Sequence, residues 1–203
     1  MTITDGGVYV LTGTLTDGRV LVNAPGADVT LVLRDADITC TDSSALYIYK
    51  AANVLVYLPD GTASTLTDGS SYDDSDSFSS TTDEEPNACL FSKSDLIIAG
   101  GGTLTVTGNA NNGITGKDTL KIEDTAVNVV AANHGINGKD CLVLKQANVT
   151  VTSDGDALRA TNDSDSALSC ILIGASVLTL TAGEDGIQAE TTLTLFDTTG
   201  TIT

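Results

Sequence analysis

Two stretches of sequence, GITGKDTL at residues 113–120 and GINGKDCL at residues 135–142, are nearly identical and start 22 positions apart. The same step leads from Ile136 to Leu158, and a step that is seven residues longer leads from Leu158 to Ile187. A fixed period of about 20–50 residues is the sequence signature of repeat architectures. The chain is therefore predicted to consist of similar units stacked on one another.

The repeat generates columns of apolar residues at matched positions of successive units. Going backwards along the chain, Ile114 maps to Leu90 and, across a long insertion, to Ile48. A second column consists of Val54, Leu96, Leu120, Leu142, Ile171 and Leu193. Another column consists of Ile38, Val106, Val129, Val151, Leu180 and Ile202. One unit cannot bury its apolar face alone, but a stack buries continuous columns of Ile, Leu and Val.

The local pattern within each unit predicts strands. Apolar residues alternate with polar ones, as in Leu104-Thr105-Val106, and alternation at period two indicates half-buried strands. Gly, Asn and Asp separate these segments and are turn residues. We therefore predict an all-β fold, a single-stranded parallel β-helix of about seven coils with roughly 22 residues each. An antiparallel sandwich is the rival fold, but it does not predict recurrence in register.

We expect one domain over residues 1–203, interrupted by an acidic Ser- and Asp-rich insertion at residues 68–86. The insertion falls inside the coil that begins near Ile48, so a loop that leaves the rod is expected rather than a linker. Tyr72 and Phe78 lie within it. Two interpretations remain open, a solvated acidic flap or a loop over a binding face or metal site, because long loops in compact domains are often functional.

The charge of the chain limits its partners. The 27 acidic and 9 basic side chains give a net charge of −18. This composition excludes a nucleic-acid binder that works by neutralising phosphates, and it argues against docking on an anionic membrane. An anionic partner could bind only through a bridging cation. No apolar run reaches the roughly 18 residues that suggest a membrane span, so no membrane insertion is expected.

The ends and composition of the chain bear on its location. The N-terminal residues lack the charged and apolar regions of a signal peptide. The abundance of Asp, Thr, Ser, Gly and Asn nevertheless favours an exported protein. We expect a secreted or cell-surface protein whose chain is mature or trimmed.

Acidic residues of neighbouring coils fall at the same corner of the predicted stack. Asn112, His134, Asp156 and Asp185 share one column. Stacked carboxylates about 5 Å apart repel one another unless a cation lies between them, and calcium prefers oxygen ligands. The predicted calcium ligands are Asp154, Asp156, Glu184, Asp185, Asn162, Asp163, Asp165 and Glu190. The alternative is that these side chains accept backbone N–H bonds and that water screens their charge.

The single histidine and the four cysteines give weaker signals. His134 has no Cys or second His in register, so we interpret it as a turn residue rather than a zinc ligand or a general acid-base. Cys141 and Cys170 occupy the same register on neighbouring coils, within disulfide range, and a bond and two free thiols are both open. Cys40 and Cys89 fall on different faces, and no bond between them is predicted.

Several spaced motifs carry a resemblance over nearly the whole chain. They are NACLFSKSDL at 87–96, NGI at 112–114 with KD at 117–118, HGI at 134–136 with GKD at 138–140, DGD at 154–156, DGIQAE at 185–190 and GVY at 7–9. In this order they resemble a bacterial family of secreted carbohydrate-binding β-helix proteins, related in fold to pectate lyases. A clostridial member of that family binds polygalacturonate and cellulose.

The resemblance implies a right-handed parallel β-helix, calcium in or on the coils, and sugar binding without demonstrated catalysis. The residues expected to contact carbohydrate are Lys117, Asp118, Lys139, Asp140, Arg159, Tyr47, Tyr49 and Tyr72. The lysine–aspartate ladder is alternatively a surface charge ladder in which each Asp pairs with a Lys of its own or the next coil. Tyr47 and Tyr49 alternate with Ile48, so both are expected to point outward as a platform for sugar rings.

These observations favour a non-catalytic, calcium-dependent protein that binds an acidic plant or cell-surface polysaccharide, uronate-rich or cellulose-like. A surface adhesin or filament subunit is the alternative, because open β-helix ends present unpaired strand edges that allow head-to-tail stacking into an oligomer or fibre. A pectate-lyase-like enzyme is the second alternative. In pectate lyases an arginine beside calcium acts as the base, and Arg159 is the sole plausible counterpart, without a second cationic group in register.

Overall fold

The computed structural model describes residues 1–203 except 74, 76, 81, 83 and 166. Over the described part, the secondary structure consists of strands, turns and irregular segments without a helix. No described segment therefore forms a helix of the length and apolar character that a membrane crossing requires. The strands, numbered β1 to β22 in chain order, form two sheets.

The first sheet has eight strands, one for each pass of the chain. In spatial order they are β1 (Thr2–Ile3), β3 (Val20–Asn23), β5 (Leu46–Lys50), β8 (Ala88–Ser92), β11 (Asn112–Gly116), β14 (Ile136–Gly138), β17 (Leu158–Ala160) and β20 (Ile187–Ala189).

The second sheet has two wings that meet at the long strand β4 (Asp28–Cys40), whose other edge pairs with β2 (Gly7–Leu15). The first wing contains β6 (Asn53–Tyr57), β9 (Asp95–Ala99), β12 (Thr119–Glu123), β15 (Cys141–Lys145), β18 (Cys170–Gly174) and β21 (Thr192–Phe196). The second wing contains β7 (Ala63–Asp68), β10 (Thr103–Gly108), β13 (Ala126–Ala131), β16 (Asn148–Ser153), β19 (Val177–Ala182) and β22 (Thr199–Ile202).

Successive passes of the chain lie directly on one another. After β11, β12 and β13, the next three strands pair in parallel with these in the same order. Ile114 and Ile136, 22 positions apart, are direct Cα partners. Within each of the two sheets, all neighbouring strands pair in parallel. This excludes the antiparallel sandwich for the described chain.

The predicted register is confirmed after the insertion and needs one correction before it. Leu96, Leu120 and Leu142 are consecutive partners, as the second column requires. Leu90, however, pairs with Leu46, and the predicted partner Ile48 pairs with Ser92. A shift of two residues keeps the same side chains facing inward, so the apolar pattern alone could not determine the register across so long an insertion.

The columns form the core between the two sheets. Ile114, Ile136, Leu120 and Leu142 have no exposed surface. Each such side chain contributes about 1.5–3 kcal/mol through removal from water, and stacking is what removes it. The predicted column of Ile38 and Val106 lacks one member, because Leu66 of β7 lies between these two residues.

One disulfide joins neighbouring passes. Cys141 of β15 and Cys170 of β18 are bonded, with their Cα atoms 4.7 Å apart, which settles the alternative that the register left open. The bond lies next to a second, shorter insertion, which falls between β17 and β18 and accounts for the seven extra residues of this pass. Cys40 and Cys89 are free and buried, as predicted.

Candidate functional site

The outer face of the first sheet carries one side chain per pass in a straight column. By strand register, from β3 onward, this column consists of Leu21, Tyr47, Phe91, Thr115, Asn137, Arg159 and Gln188. The first four are buried and the last three are partly exposed. We call Leu21, Tyr47 and Phe91 the covered half of this face, and Asn137, Arg159 and Gln188 the open half.

The covered half lies beneath the long insertion. Tyr47 and Phe91 are fully buried, with ring centroids 5.5 Å apart, and Phe78 of the insertion packs edge-on against Tyr49 at 5.1 Å. The Tyr47 hydroxyl donates a hydrogen bond of 2.8 Å to the carbonyl of Phe78. The predicted exposed tyrosine platform is therefore wrong as stated. Tyr47 and Tyr49 point outward from the sheet, but the insertion folds back onto them because their apolar rings gain from burial.

The base of the insertion is fixed by a buried carboxylate. Asp68 accepts hydrogen bonds from the Tyr72 hydroxyl at 2.6 Å and from the backbone N–H of Asn109 at 2.5 Å. Burial raises the pKa of Asp68 above its ordinary value, although both hydrogen bonds oppose the shift. Tyr72, predicted to contact sugar, uses its hydroxyl in this structural bond.

A ladder of side chains runs along one end of the strands of the first sheet. The Asn112 Oδ1 accepts the backbone N–H of His134 at 3.1 Å, and His134 Nδ1 accepts that of Asp156 at 2.9 Å. The Asp156 Oδ1 in turn accepts the N–H of Asp185 at 3.0 Å. The predicted column is therefore present. Its side chains accept backbone N–H groups of the next pass, as the alternative to calcium binding expects.

His134 sits in the most crowded electrostatic environment of this ladder. Its Nε2 meets the Arg159 guanidinium, and the carboxylate of Asp156 lies 3.4 Å from its Nδ1. Burial lowers the pKa of His134 and Arg159 lowers it further, against the opposing carboxylates of Asp156 and Glu184. Because Nδ1 is the acceptor of the Asp156 N–H, a proton added at Nδ1 would displace that N–H. His134 is thus a turn residue that favours its neutral form.

The same corner contains the strongest geometric cluster of possible metal ligands among the described residues. One ligand atom each of His134, Asp156 and Glu184 lie within 4.8 Å of one another. Asp156, however, already has the Arg159 guanidinium 3.6 Å away. A calcium ion prefers oxygen ligands and would compete here with a resident cation and an imidazole. The donor set at this corner therefore fits calcium poorly.

The opposite end of these strands carries a ladder of less neutralised carboxylates. Asp118 and Asp140 precede the paired residues Thr119 and Cys141, and Asp95 lies on the preceding pass. Partial burial, then the charges of Asp95 and Asp140, raise the pKa of Asp118, and Lys139 opposes the shift. The negative charges of Asp95 and Asp140 contribute to this raised pKa, and a bound cation would relieve their repulsion of Asp118. These oxygens therefore fit calcium better.

The structure separates the predicted calcium ligands. Asp156, Glu184 and Asp185 precede their strands, whereas Asn162 and Glu190 follow theirs, at the opposite end. The Asn162 amide nitrogen donates to Asp140 Oδ1 at 2.7 Å. The Oδ1 of Asn162 accepts the backbone N–H groups of Ser164 and Asp165.

The remaining predicted ligands do not join one shell with Asp156. Asp163 and Asp165 are exposed in the shorter insertion, Asp154 is exposed before β17, and Glu190 accepts a hydrogen bond from Gln188. A strand separates Asn162, Asp163, Asp165 and Glu190 from Asp156, Glu184 and Asp185, so the shorter insertion does not emerge at the end of the strands where Asp156 lies.

Carbohydrate contact by Lys117 stays a prediction, whereas the alternative of a lysine–aspartate charge ladder does not hold for this residue. It pairs with Glu85 of the long insertion at 2.6 Å rather than with an aspartate of its own or the next pass. The repeat could not reveal this contact, because Glu85 lies outside the repeating pattern. The open-half residues Asn137 and Gln188 were also missed, although each directly follows a column isoleucine and must therefore point outward.

Two polar atoms at the open half lack a protein partner. They are the Nε of Arg159 and the Oε1 of Gln188, on residues that are direct neighbours in adjacent strands. One is a donor and the other an acceptor. Both atoms are themselves buried, so a ligand would meet the exposed parts of the Arg159 guanidinium and of the Asn137 and Gln188 amides. These groups donate and accept hydrogen bonds, so this surface, with Lys139 at one side and His134 at the other, suits a hydroxyl-rich ligand. The face is shallow and repeats at the strand spacing of about 4.8 Å, which suits an extended ligand.

Fold and site together define a parallel, stacked β protein with an open polar face. A family model described as "Carbohydrate-binding domain-containing protein" matches residues 1–203. The chain belongs to this family of carbohydrate-binding domain-containing proteins.

Two relatives extend this comparison. A carbohydrate-binding domain-containing protein of Acetivibrio thermocellus is 40% identical over 130 residues, which cover 64% of this chain and 44% of that protein. This chain thus matches less than half of that relative's length. The structure of a polysaccharide lyase-like protein from C. thermocellum, a gadolinium derivative, superposes with a TM-score of 0.89 at 29% identity. The superposition covers 98% of this chain and 89% of that one.

Proposed function

We propose that this protein is a non-catalytic, calcium-dependent binder of an acidic plant or cell-surface polysaccharide. The observation that carries the proposal is the open half, where Asn137, Arg159 and Gln188 form a polar line on successive strands. The family supports carbohydrate as the ligand class. Arg159 and Lys139 supply positive charge on an otherwise acidic molecule, which favours a uronate-rich polymer over a neutral one such as cellulose. A secreted or cell-surface location is part of this proposal.

We also infer that the chain forms a right-handed parallel β-helix of about seven coils, counting one coil from each strand of the first sheet to the next of its eight strands. Connections between parallel strands of one sheet are right-handed in about 98% of cases. The parallel register of the two sheets and the high TM-score to a lyase-like structure support this inference.

Calcium is proposed to act at the end of the first sheet where Asp95, Asp118 and Asp140 lie. The ion would supply positive charge to a face that is otherwise acidic, so that a uronate carboxylate can approach. Asp118 lies on the pass between those of Asp95 and Asp140, and the repulsion of its carboxylate by both supports this placement.

A lyase activity is less well supported by the contacts of Arg159. A base in uronate elimination must release its own proton, and guanidinium groups hold theirs to very high pH. Here the Asp156 carboxylate lies 3.6 Å from the Arg159 guanidinium, which also meets His134 Nε2. Assay of pectate for the ultraviolet absorbance of an unsaturated product tests this expectation, and product formation would overturn it.

The calcium proposal is tested by binding to polygalacturonate in calcium and after EDTA. We expect wild-type protein to bind only with calcium. Asp118→Asn with Asp140→Asn should weaken binding at least about tenfold, as loss of groups that hold a metal commonly does. Asp124→Asn with Asp197→Asn is the matched control, since both are exposed in turns between the two wings and remove the same charge. Equal loss in both double variants, or binding unaffected by EDTA, would contradict the proposal.

A second candidate function is head-to-tail association into an oligomer or fibre. In the pass that contains β20 to β22, the column residues Leu193, Leu195 and Ile202 are 45%, 47% and 55% exposed, whereas their partners one pass earlier are buried. On the first pass, Val8 and Val10 are 69% and 53% exposed. A second copy stacked at either surface would bury them.

A further inference from the structure

The long insertion does more than cover a surface, because it places two different chemical groups on the first sheet. One is the ring of Phe78, which packs edge-on against Tyr49. The other is the carboxylate of Glu85. Ser80 and Glu85 exchange backbone hydrogen bonds of 2.7 and 2.9 Å, so a small antiparallel bridge holds the two groups close together in the chain.

Glu85 is bound as a ligand would be. Its side chain is 4% exposed, and its two carboxylate oxygens each meet one lysine, Lys93 at 2.7 Å and Lys117 at 2.6 Å. Burial opposes ionisation, but the ammonium groups of Lys117 and Lys93 outweigh it and hold the pKa of Glu85 below its ordinary value. The carboxylate is therefore charged, buried and doubly paired.

The lysines and the tyrosine that receive these groups belong to the sheet, not to the insertion. Lys93 and Lys117 follow β8 and β11 on neighbouring passes. The Lys93 ammonium also lies 5.6 Å from the centre of the Tyr49 ring. Two ammonium groups, one of them beside an aromatic ring, form a suitable site for a sugar that has both an apolar ring face and a carboxylate.

We propose that Lys93, Lys117 and Tyr49 form a second binding site for a carboxylated sugar, and that the insertion closes it by presenting Glu85 and Phe78 in place of that sugar. This inference rests on the proposed function, since it assigns a uronate-type ligand and a regulatory segment to the same face. Opening exposes the lysine pair, and a free carboxylate then replaces that of Glu85. The apparent affinity is reduced by the fraction of molecules that are closed.

The electrostatics of the closed form explain why exchange is feasible. The attraction within a buried ion pair can offset only part of the cost of removing both charges from water. A ligand carboxylate of equal charge can therefore replace that of Glu85 without leaving the two lysines unpaired. Removal of the Glu85 charge alone leaves both ammonium groups without their partner and favours opening. The covered aromatic residues Tyr47 and Phe91 remain part of the sheet in either state.

The test compares binding of trigalacturonate in calcium, by titration calorimetry, to wild type and to Glu85→Gln. We expect the variant to bind about tenfold more tightly, because a larger fraction of molecules is open. Glu84→Gln is the control, since Glu84 is the exposed neighbouring carboxylate and its loss changes the net charge equally. Adding Lys93→Met to Glu85→Gln should remove the gain. The methyl ester of trigalacturonate should show no gain, because it lacks the carboxylates.

The outcomes separate this inference from the proposed function. Tighter binding by Glu85→Gln, with or without detectable binding by wild type, supports the inference. Calcium-dependent binding that is equal in wild type and Glu85→Gln overturns the inference and leaves the proposed function standing. An absence of binding by all variants overturns both. Thermal melting of each variant shows whether the sheets remain folded, and Tyr72→Phe provides a second means of loosening the insertion at its Asp68 anchor.

Discussion

His134 shows how one residue can have a structural role while resembling a catalytic one. Its Nδ1 accepts a backbone N–H of the next pass, as the Oδ1 of Asn112 does one pass earlier. Its nearness to Arg159, Asp156 and Glu184 follows from the stacking of turns rather than from a reaction. The position requires an acceptor, and either an imidazole or an amide provides one.

The low pKa of His134 predicts a dependence of stability on pH. Because the folded pKa lies below the unfolded value of about 6.5, its contribution is complete above that pH and is lost as the pH falls through the folded pKa. His134→Asn keeps the acceptor, as Asn112 shows, but cannot titrate. We expect the free energy of unfolding, measured with urea, to fall less in the variant than in wild type between pH 7 and pH 5.

The carboxylates of the molecule titrate in the same range, so the difference between the two proteins is the relevant quantity. Parallel curves for wild type and His134→Asn would refute the assignment. Spectroscopic titration of His134, the only histidine, gives its folded pKa independently.

At the scale of the strands, stacking rather than local preference determines which side chains matter. Ile136 of β14 lies between Ile114 and Leu158 and has no exposed surface. Val130 of β13 is of similar chemistry but is 53% exposed on the outer side of its wing. The difference between them comes entirely from the direction in which each side chain points.

We therefore predict that Ile136→Ala lowers the free energy of unfolding by about 2–5 kcal/mol, since it leaves a cavity in a column that cannot collapse. Val130→Ala, the control, should change it by less than about 0.5 kcal/mol. Both are measured by urea denaturation with the Cys141–Cys170 bond intact. A similar loss in the two variants would mean that the columns are not the source of stability.

The sequence was sufficient for elements that repeat and insufficient for those that do not. The two GKD motifs set the register of β11, β12, β14 and β15, because identical corners occur at one spacing. The repeat spacing also predicted that Asp156, Glu184 and Asp185 lie together at one end of the strands. The surface on which the long insertion packs could not be predicted. Phe78 and Glu85 have no counterparts in other passes, and their contacts depend on tertiary packing.

At the scale of the whole molecule, the described chain leaves apolar surface at both terminal passes. Leu195 and Phe196 of β21 are 47% and 57% exposed. Parallel strand edges there lack a hydrogen-bonding neighbour in this structure. Unpaired edges with apolar side chains favour association with another strand.

If the terminal passes stack on one another, the wild-type protein should show concentration-dependent association in analytical ultracentrifugation. Leu195→Asp should abolish it, because a charge would be buried without a partner. Leu172→Asp is the control, since Leu172 is 37% exposed on the flank of β18 rather than on a terminal pass. A wild-type protein that remains monomeric at high concentration would exclude the filament alternative.

The corner between β17 and β18 has a further consequence. It contains seven residues more than the corresponding corner one pass earlier, yet Leu158 still meets Ile187 and Cys141 still meets Cys170. Loop length at this point is thus independent of the alignment of the strands on either side. A foreign peptide grafted at residues 163–167 would be displayed next to the open half, so new ligand specificities could be selected without redesign of the scaffold.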